Sequence, residues 1–285
     1  MGKSLHDASA AARQVFEEAD AALGFSISRL CFEGPEEELK ATANTQPAIL
    51  THSVAAWRDL AARSPERLDG AAVAAGHSLG EYSANVAAGA LAFADAVRLV
   101  RRRGELMQDA VPAGVGAMAA ILGLAPEAVE AACGEASEGE IVAPANFNSP
   151  EQTVIAGHAG AVGRASALCL ERGARRAVAL PVSAPFHCAL MAPARERMRP
   201  LLEGAAFSDA SIPVVTNVDA VPVRSGTSLR EALIRQIDSP VRWVESVRRL
   251  AADGVERGLE IGPGNVLAGL VRRIAKGLPV ETYAG

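Results

Sequence analysis

The spacing of apolar residues along the first third of the chain predicts a set of helices interrupted by one buried strand. Apolar positions recur every three or four residues over long stretches, which is typical of helices with one face in a core. Pro47 suits the first turn of one such helix, because its missing N–H needs no partner there. Helices are predicted over 8–23, 45–63, 81–89 and 93–110, and a strand over 71–75.

The pattern changes near residue 115 and changes back near residue 184. Strands are predicted over 117–122, 141–146, 153–156 and 177–182, with helices over 126–136 and 159–172. The order β-α-β-β-α-β is the ferredoxin-like split βαβ pattern, so 115–183 is predicted to be an inserted subdomain. Alternation then resumes, with helices over 193–202, 228–236, 241–253 and 266–276 and strands over 213–217 and 259–261. This alternation predicts an α/β fold with a mostly parallel sheet covered by helices.

Composition narrows the class of protein. The chain has 285 residues, of which 49% are hydrophobic and 21% charged, enough to bury a sizeable core. Its net charge of −5 is spread along the chain and argues against nucleic-acid binding. Four scattered cysteines without a C-x-x-C pair are typical of reduced thiols. No membrane span or signal peptide is recognisable, so we expect a cytoplasmic enzyme.

The most informative motif is the pentapeptide Gly-x-Ser-x-Gly at 76–80, which places Ser78 between the predicted strand and a helix. Strand, sharp turn and helix form the nucleophile elbow of serine enzymes. Glycines on both sides of Ser78 are expected to relieve clashes at this strained turn. The motif favours an α/β-hydrolase-like sheet core in 1–114 and 184–285. Chance remains an alternative, because Gly and Ser are common in the chain.

A serine nucleophile needs a base, usually a histidine. The chain contains five, His6, His52, His77, His158 and His187. In elbow enzymes the base follows the serine and lies on a late loop. That leaves two candidates, His158 and His187, and position favours His187, which lies in a proline-framed loop leaving the predicted subdomain. A structural role is the alternative for each.

Arg103 is the unusual arginine of the helix predicted over 93–110. On a helical wheel it falls on one stripe with Ala96, Val100 and Met107, so its guanidinium is predicted to be buried. A buried guanidinium must be paired. Its partner is either an Asp or Glu of the protein or a carboxylate that arrives with the substrate, which a planar fork holds at two points.

Several motifs in order along nearly the whole chain resemble the malonyl-CoA:acyl carrier protein transacylases of bacterial fatty-acid synthesis and the related acyltransferase domains of polyketide synthases. No single motif is decisive, but together they are specific. The segments that carry the resemblance are 45–48 (TQPA), 76–84 (GHSLGEYSA), 93–100 (FADAVRLV), 103–104 (RG), 116–120 (GAMAA), 146–150 (NFNSP), 186–187 (FH) and 262–264 (GPG).

The resemblance implies a role for each matching residue. Ser78 would take the malonyl group from coenzyme A as an ester, with His187 as its base. Arg103 would hold the malonyl carboxylate. The backbone N–H of Leu79 would be an oxyanion donor, and the backbone carbonyl at Gln236 would orient His187.

The resemblance also implies selectivity and partners. Phe186, immediately before the histidine, would favour malonyl over methylmalonyl groups, because its ring leaves little room for an α-methyl. Malonyl-CoA and acyl carrier protein would be the partners of a monomer that binds no nucleic acid or membrane. The sequence has neither metal-ligand spacing nor a phosphate-binding loop, so we expect no metal and no cofactor.

The beginning of the chain departs from the family pattern. Members begin with a strand and a Gly-Gln-Gly-Ser-Gln type loop that supplies a second oxyanion donor, whereas this sequence starts at Met1-Gly2-Lys3. An N-terminal strand is therefore expected to be missing. Two alternatives stay open: a serine esterase or thioesterase built on the same elbow, and an inactive truncated form that only binds coenzyme A or carrier protein.

Overall fold

The computed structural model describes residues 1–182 and 184–285, so position 183, the end of the predicted subdomain, lies outside the described residues. The α-helices are α1 (Lys3–Ala8), α2 (Ala10–Leu23), α3 (Ile27–Glu33), α4 (Glu36–Lys40), α5 (Thr42–Arg63), α6 (Gly80–Ala87), α7 (Phe93–Asp109), α8 (Pro126–Ala136), α9 (Ala159–Glu171), α10 (Ala192–Gly204), α11 (Gly226–Gln236), α12 (Trp243–Ala252) and α13 (Val266–Ile274). The strands are β1 (Ala74–Ala75), β2 (Gly116–Leu122), β3 (Val142–Ser149), β4 (Gln152–His158), β5 (Arg176–Ala179), β6 (Val214–Val215), β7 (Pro222–Val223), β8 (Gly258–Ile261) and β9 (Val280–Tyr283).

The middle of the chain forms a four-stranded antiparallel sheet in the order β3-β4-β2-β5. Successive side chains of a strand point to opposite faces, and both faces are buried here. Ile121 and Ile155 pack with the inner residues of α8 and α9. Met118 and Val154 pack on the other face against the segment that contains Cys188. That segment follows His187 directly, so the second face adjoins the candidate site.

The remaining strands form two small sheets. In one, β1 pairs in parallel with β6, and β6 pairs antiparallel with β7; in the other, β8 and β9 are parallel. The largest core cluster lies among α2, α5, α7, α10 and α11 and includes Phe16, Leu50, Val100, Met198 and Ile234. The sequence pattern predicted one mostly parallel sheet, whereas the described residues form parallel pairs in separate sheets.

Several predicted boundaries were wrong, each for a local reason. The strand predicted over 71–75 is reduced to β1, because the N–H of Ala71 bonds to the carbonyl of Leu68 in a turn. The helix predicted over 241–253 begins at Trp243, because Val241 instead bonds by both backbone groups to β3. Helices α1, α3 and α4 and strands β7 and β9 were not predicted.

Pro47 lies inside α5 and not in its first turn, which corrects the helix predicted over 45–63. A proline within a helix leaves the carbonyl four residues earlier without its backbone donor. That carbonyl belongs to Ala43, and it accepts a hydrogen bond from Arg101 Nη1 at 3.2 Å. Arg101 of α7 therefore supplies the hydrogen bond that Pro47 cannot donate, and this contact holds α5 and α7 side by side beneath the candidate site.

Candidate active site

Ser78 lies on a strained turn between β1 and α6. Its φ is 49°, in the left-handed region that residues with a Cβ rarely adopt. A Cβ on Gly76 would lie 2.0 Å from the backbone carbon and oxygen of Gly80, so the chain crosses itself too closely for any side chain at 76. A Cβ on Gly80 would meet nothing within 4 Å. The expectation that both glycines relieve a clash is therefore right for Gly76 and wrong for Gly80.

Asn217 holds this turn from the end of β6. Its Oδ1 accepts from the backbone N–H of Ser78 at 2.6 Å, and its Nδ2 donates to the carbonyl of Gly76 at 2.7 Å. The side chain is buried, so both hydrogen bonds replace water that the turn has lost. One amide therefore satisfies the backbone on both sides of His77 and fixes the direction of the serine.

His187 is the histidine that the structure places beside Ser78. Its Nε2 lies 2.7 Å from Ser78 Oγ, and its Nδ1 lies 2.9 Å from the backbone carbonyl of Gln236. A carbonyl only accepts, so Nδ1 carries the proton and Nε2 is left to accept from the serine hydroxyl. This is the tautomer that a general base for Ser78 requires.

The surroundings keep His187 neutral. Burial lowers the pKa of its imidazole to about 3, and the positive charge of Arg103 acts in the same direction. The backbone carbonyl of Gln236 opposes this shift only in part. A neutral imidazole is therefore present throughout the physiological pH range, ready to take a proton.

His158, the other candidate from the sequence, makes no hydrogen bond to the serine in the described residues. Its Nδ1 accepts a hydrogen bond from the backbone N–H of Ile141 at 2.9 Å, so it joins the end of β4 to the residue before β3. His77 turns away from the site, with its Nε2 2.8 Å from Asn148 Oδ1 and its ring against Trp243. Both histidines therefore have structural contacts that occupy their rings.

Arg103 is buried, with only 2% of its surface exposed, and its guanidinium points at the serine. Nη2 donates to Ser78 Oγ at 3.0 Å and to Gln236 Oε1 at 2.9 Å, while Nη1 donates to Gln46 Oε1 at 2.8 Å. The ring of Tyr82 lies 5.8 Å from the guanidinium carbon. Every acceptor is neutral, and no ion pair to Arg103 exists in the described part of the chain.

Arg103 makes no direct contact with a carboxylate within residues 1–182 and 184–285, although the charge of Glu81, one residue away behind Gln236, acts to raise its pKa against the larger effect of burial, and this favours the second of the two alternatives left by the sequence. Its Nε is buried and has no hydrogen-bond partner among these residues. Burial lowers the pKa of the guanidinium, but arginine stays charged in proteins. The site therefore contains a buried positive charge with no carboxylate in direct contact, and an anionic ligand could supply that contact.

Leu79 and Phe186 flank the serine and the histidine in sequence. Leu79 directly precedes α6, and in the described residues its backbone N–H donates no hydrogen bond. Phe186 is half-buried and packs between the largest core cluster and the four-stranded sheet. The backbone N–H of Leu79 is thus free to bind an oxyanion, and Phe186 directly precedes the base in the chain.

Sequence reasoning missed three polar residues of this site: Gln46, Asn217 and Glu81. Gln46 is in the TQPA segment already recognised as a family motif, so its amide was a findable partner for Arg103. Glu81 lies in the recognised segment 76–84, but its contacts with Asn217 and Gln236 span long sequence separations, and Asn217 carried no local signal. Among the described residues there is no cluster of side chains able to hold a metal ion.

Comparison with known proteins identifies the family of the chain. The sequence pattern of the acyl transferase domain family matches residues 1–285. The chain is 52% identical, over 264 residues, to the malonyl CoA-acyl carrier protein transacylase of Escherichia coli (strain K12), covering 92% of this chain and 84% of that protein. It is similar to the crystal structure of an acyl carrier protein S-malonyltransferase from Vibrio cholerae, with a TM-score of 0.93 and 51% identity, covering 96% and 89% of the two chains. It is also similar to a malonyl-transacylase solved in complex with its type II PKS acyl-carrier protein, with a TM-score of 0.94 and 48% identity, covering 99% and 90%.

Proposed function

The chain belongs to the acyl transferase family, so it is an acyltransferase, and we propose that it carries malonyl groups from malonyl-CoA to acyl carrier protein through an ester on Ser78. The names of its relatives state this reaction and support malonyl-CoA and acyl carrier protein as the substrates. The proposal rests mainly on the surroundings of the Ser78 hydroxyl. It contacts both the base His187 and the buried cation Arg103, and it is presented by a strained turn.

In the first half-reaction, Ser78 Oγ attacks the thioester carbonyl while its proton passes to Nε2 of His187. The carbonyl oxygen becomes an oxyanion, which the backbone N–H of Leu79 stabilises. When this intermediate collapses, the carbon–sulfur bond breaks. The coenzyme A thiolate takes the proton from His187 and leaves as a thiol, so the protein keeps a malonyl-serine ester.

Arg103 selects the acyl group by its free carboxylate. In the unliganded protein the guanidinium donates to the hydroxyl of Ser78 and to two side-chain amides. A carboxylate is a stronger acceptor than any of these and matches the planar fork. Its binding would place the acyl carbonyl of the substrate over Ser78. Monocarboxylic acyl groups lack this contact and would load less well.

The second half-reaction reverses the first with a different thiol. The pantetheine thiol of acyl carrier protein gives its proton to His187 and attacks the ester carbonyl. Ser78 Oγ leaves, recovers the proton from His187, and the malonyl thioester of the carrier is released. We propose that Phe186 narrows the space beside His187 against an α-methyl group, which favours malonyl over methylmalonyl units.

We extend the proposal to the organisation of the chain. Residues 1–114 and 184–285 would form an α/β-hydrolase-like catalytic domain, and 115–183 a ferredoxin-like subdomain inserted into it. The separate core clusters on the two sides of this division support it. The four cysteines are free, which suits action in the cytoplasm. None of the described helices is both long and apolar enough to span a membrane.

A transfer assay tests the proposal. Purified protein is mixed with malonyl-CoA and holo acyl carrier protein, and the mass of the carrier is followed with time. We expect malonyl-carrier to form with the wild type and not with Ser78→Ala or with carrier lacking pantetheine. Release of free malonate at the same rate with and without carrier would identify a hydrolase instead, and the proposed transfer would be wrong.

A further inference from the structure

A buried carboxylate, Glu81, lies directly behind the catalytic groups and has no part in the mechanism above. It is the second residue of α6 and is fully buried. Its Oε2 accepts from the backbone N–H of Asn217 at 3.0 Å and from Gln236 Nε2 at 2.8 Å. Its Oε1 has no hydrogen-bond partner in the described residues. Burial raises the pKa of this carboxyl to about 7, which shows that the site bears a cost for keeping it.

Both partners of Glu81 contact the elbow. Asn217 holds the backbone of Gly76 and Ser78, as described above. The side chain of Gln236 donates to the backbone carbonyl of Ser78 at 3.0 Å and accepts from Arg103 at 2.9 Å, and its own backbone carbonyl orients the base. Through Gln236 alone, the carboxylate of Glu81 is therefore linked to Ser78, His187 and Arg103.

The chemistry of these partners fixes which way the Gln236 amide points. Arg103 has only donors, so it requires the amide oxygen. The Glu81 carboxylate has only acceptors in its ionised form, so it requires the amide nitrogen. A flipped amide would lose its bonds with the Ser78 carbonyl and with Arg103 and would also set its oxygen against the Glu81 carboxylate, a repulsion that disappears if residue 81 is apolar. The carboxylate excludes that flip.

We propose that Glu81 is a positioning residue that locks the Gln236 amide and, through it, aims the Arg103 guanidinium at the carboxylate of the acyl group. The inference rests on the proposed function, because it assigns Glu81 to the selection of dicarboxylic over monocarboxylic acyl groups. Glu81 touches neither substrate nor the reacting atoms. Its effect is therefore expected on acyl selectivity more than on the reactivity of Ser78.

Loading of Ser78 from malonyl-CoA and from acetyl-CoA, followed by intact mass, gives the selectivity as a ratio of rates. We expect Glu81→Leu to lower the malonyl-to-acetyl ratio by about tenfold or more, the worth of a hydrogen bond to a charged group. Glu81→Gln keeps an oxygen that can accept from Gln236 Nε2, so we expect it to recover most of the ratio. Glu127→Gln is the matched control, because Glu127 is exposed in the first turn of α8, and its ratio should equal the wild type.

A double-mutant cycle separates positioning from a general loss of structure. Gln236→Met removes the side-chain amide but keeps the backbone carbonyl that orients His187. If Glu81 acts through this amide, changing Glu81 to Leu or Gln in the Gln236→Met background should alter the ratio by no more than about twofold. Additive effects would overturn the inference, as would an unchanged ratio in Glu81→Leu. If Glu81→Leu does not fold, the cycle is completed with Glu81→Met, whose flexible apolar side chain also removes the acceptor for Gln236 Nε2.

The same experiment distinguishes this inference from the proposed function. Failure of the wild type to form a malonyl-serine ester would refute the proposed function itself. If the wild type loads malonyl selectively but the Glu81 and Gln236 substitutions have additive effects on the malonyl-to-acetyl ratio, the proposed function stands and the positioning role of Glu81 is wrong.

Discussion

Replacement of Gly76 by alanine is expected to disrupt the elbow. The added Cβ would lie 2.0 Å from the backbone of Gly80 and 2.7 Å from the backbone nitrogen of Glu81. Real Cβ contacts fall no closer than about 3 Å, and all the atoms met here are backbone, so no side-chain rotation can relieve the overlap. The turn itself must open by about an ångström, which would also move Ser78.

The expected loss of unfolding free energy follows from the contacts that the turn would lose as it opens. Overpacking in a tight site costs about 1–3 kcal/mol. Opening the turn also stretches the two Asn217 hydrogen bonds to Gly76 and Ser78, and each buried group left without a partner costs about 1–3 kcal/mol. We therefore expect Gly76→Ala to lower the free energy of unfolding by about 3 kcal/mol or more and to abolish acyl loading.

Gly80→Ala is the matched control, one turn of chain away. Its Cβ would meet nothing within 4 Å, and alanine is a better helix former than glycine by about 1 kcal/mol. Urea unfolding of both variants, with malonyl loading measured in parallel, should show a large loss for Gly76→Ala and none for Gly80→Ala. Equal stabilities for the two variants would refute the reasoning.

Three further predictions concern the residues around Ser78. Arg103→Ala should lower malonyl loading by about a hundredfold while sparing acetyl loading. The control is Arg102→Ala, which changes an exposed neighbour in α7. Equal losses of malonyl and acetyl loading in Arg103→Ala would show that Arg103 does not hold the malonyl carboxylate. The pKa of His187 is about 3 in the fold and 6.5 when unperturbed, so the neutral ring stabilises the fold above pH 6.5 and this stability is lost as the pH falls toward 3. Between pH 7 and 5 the wild type should lose about 2 kcal/mol of unfolding free energy relative to His187→Gln; a constant difference in urea titrations at the two pH values would contradict the buried neutral ring. Asn217→Asp places a carboxylate oxygen against the carbonyl of Gly76 and should cost about 2 kcal/mol in the same urea assay, a prediction that fails if stability is unchanged.

Local patterns predicted the elements of this chain best where each element carried its own boundary signals. In the segment from 115 to 183, α8 was predicted with the observed limits and the strands within a few residues, because turns and helix ends there are marked by Gly, Pro and Asn. Predictions failed where distant contacts decide the boundary. Val241 could pair with β3 only after the chain had folded, and Pro47 is tolerated inside α5 because Arg101 of another helix satisfies the freed carbonyl.

The residues of the candidate site were likewise predicted only in part. The elbow motif located Ser78, and the helical period alone predicted the burial of Arg103. Position favoured His187 over His158 and the family resemblance implied His187 as the base; the structure places His187 2.7 Å from the serine. Asn217 was not found because nothing in its immediate sequence marks it, and Glu81, although it directly follows the elbow motif, was missed because its role depends on contacts across more than a hundred positions.

The most direct test of the account is the covalent intermediate. The protein is exposed briefly to malonyl-CoA, its intact mass is measured, and the modified peptide is mapped. We expect one malonyl group per chain, carried by Ser78 and absent from Ser78→Ala. A folded wild-type protein that gains no malonyl group, or gains it at another residue, would contradict the central claim that Ser78 is the acyl-accepting nucleophile.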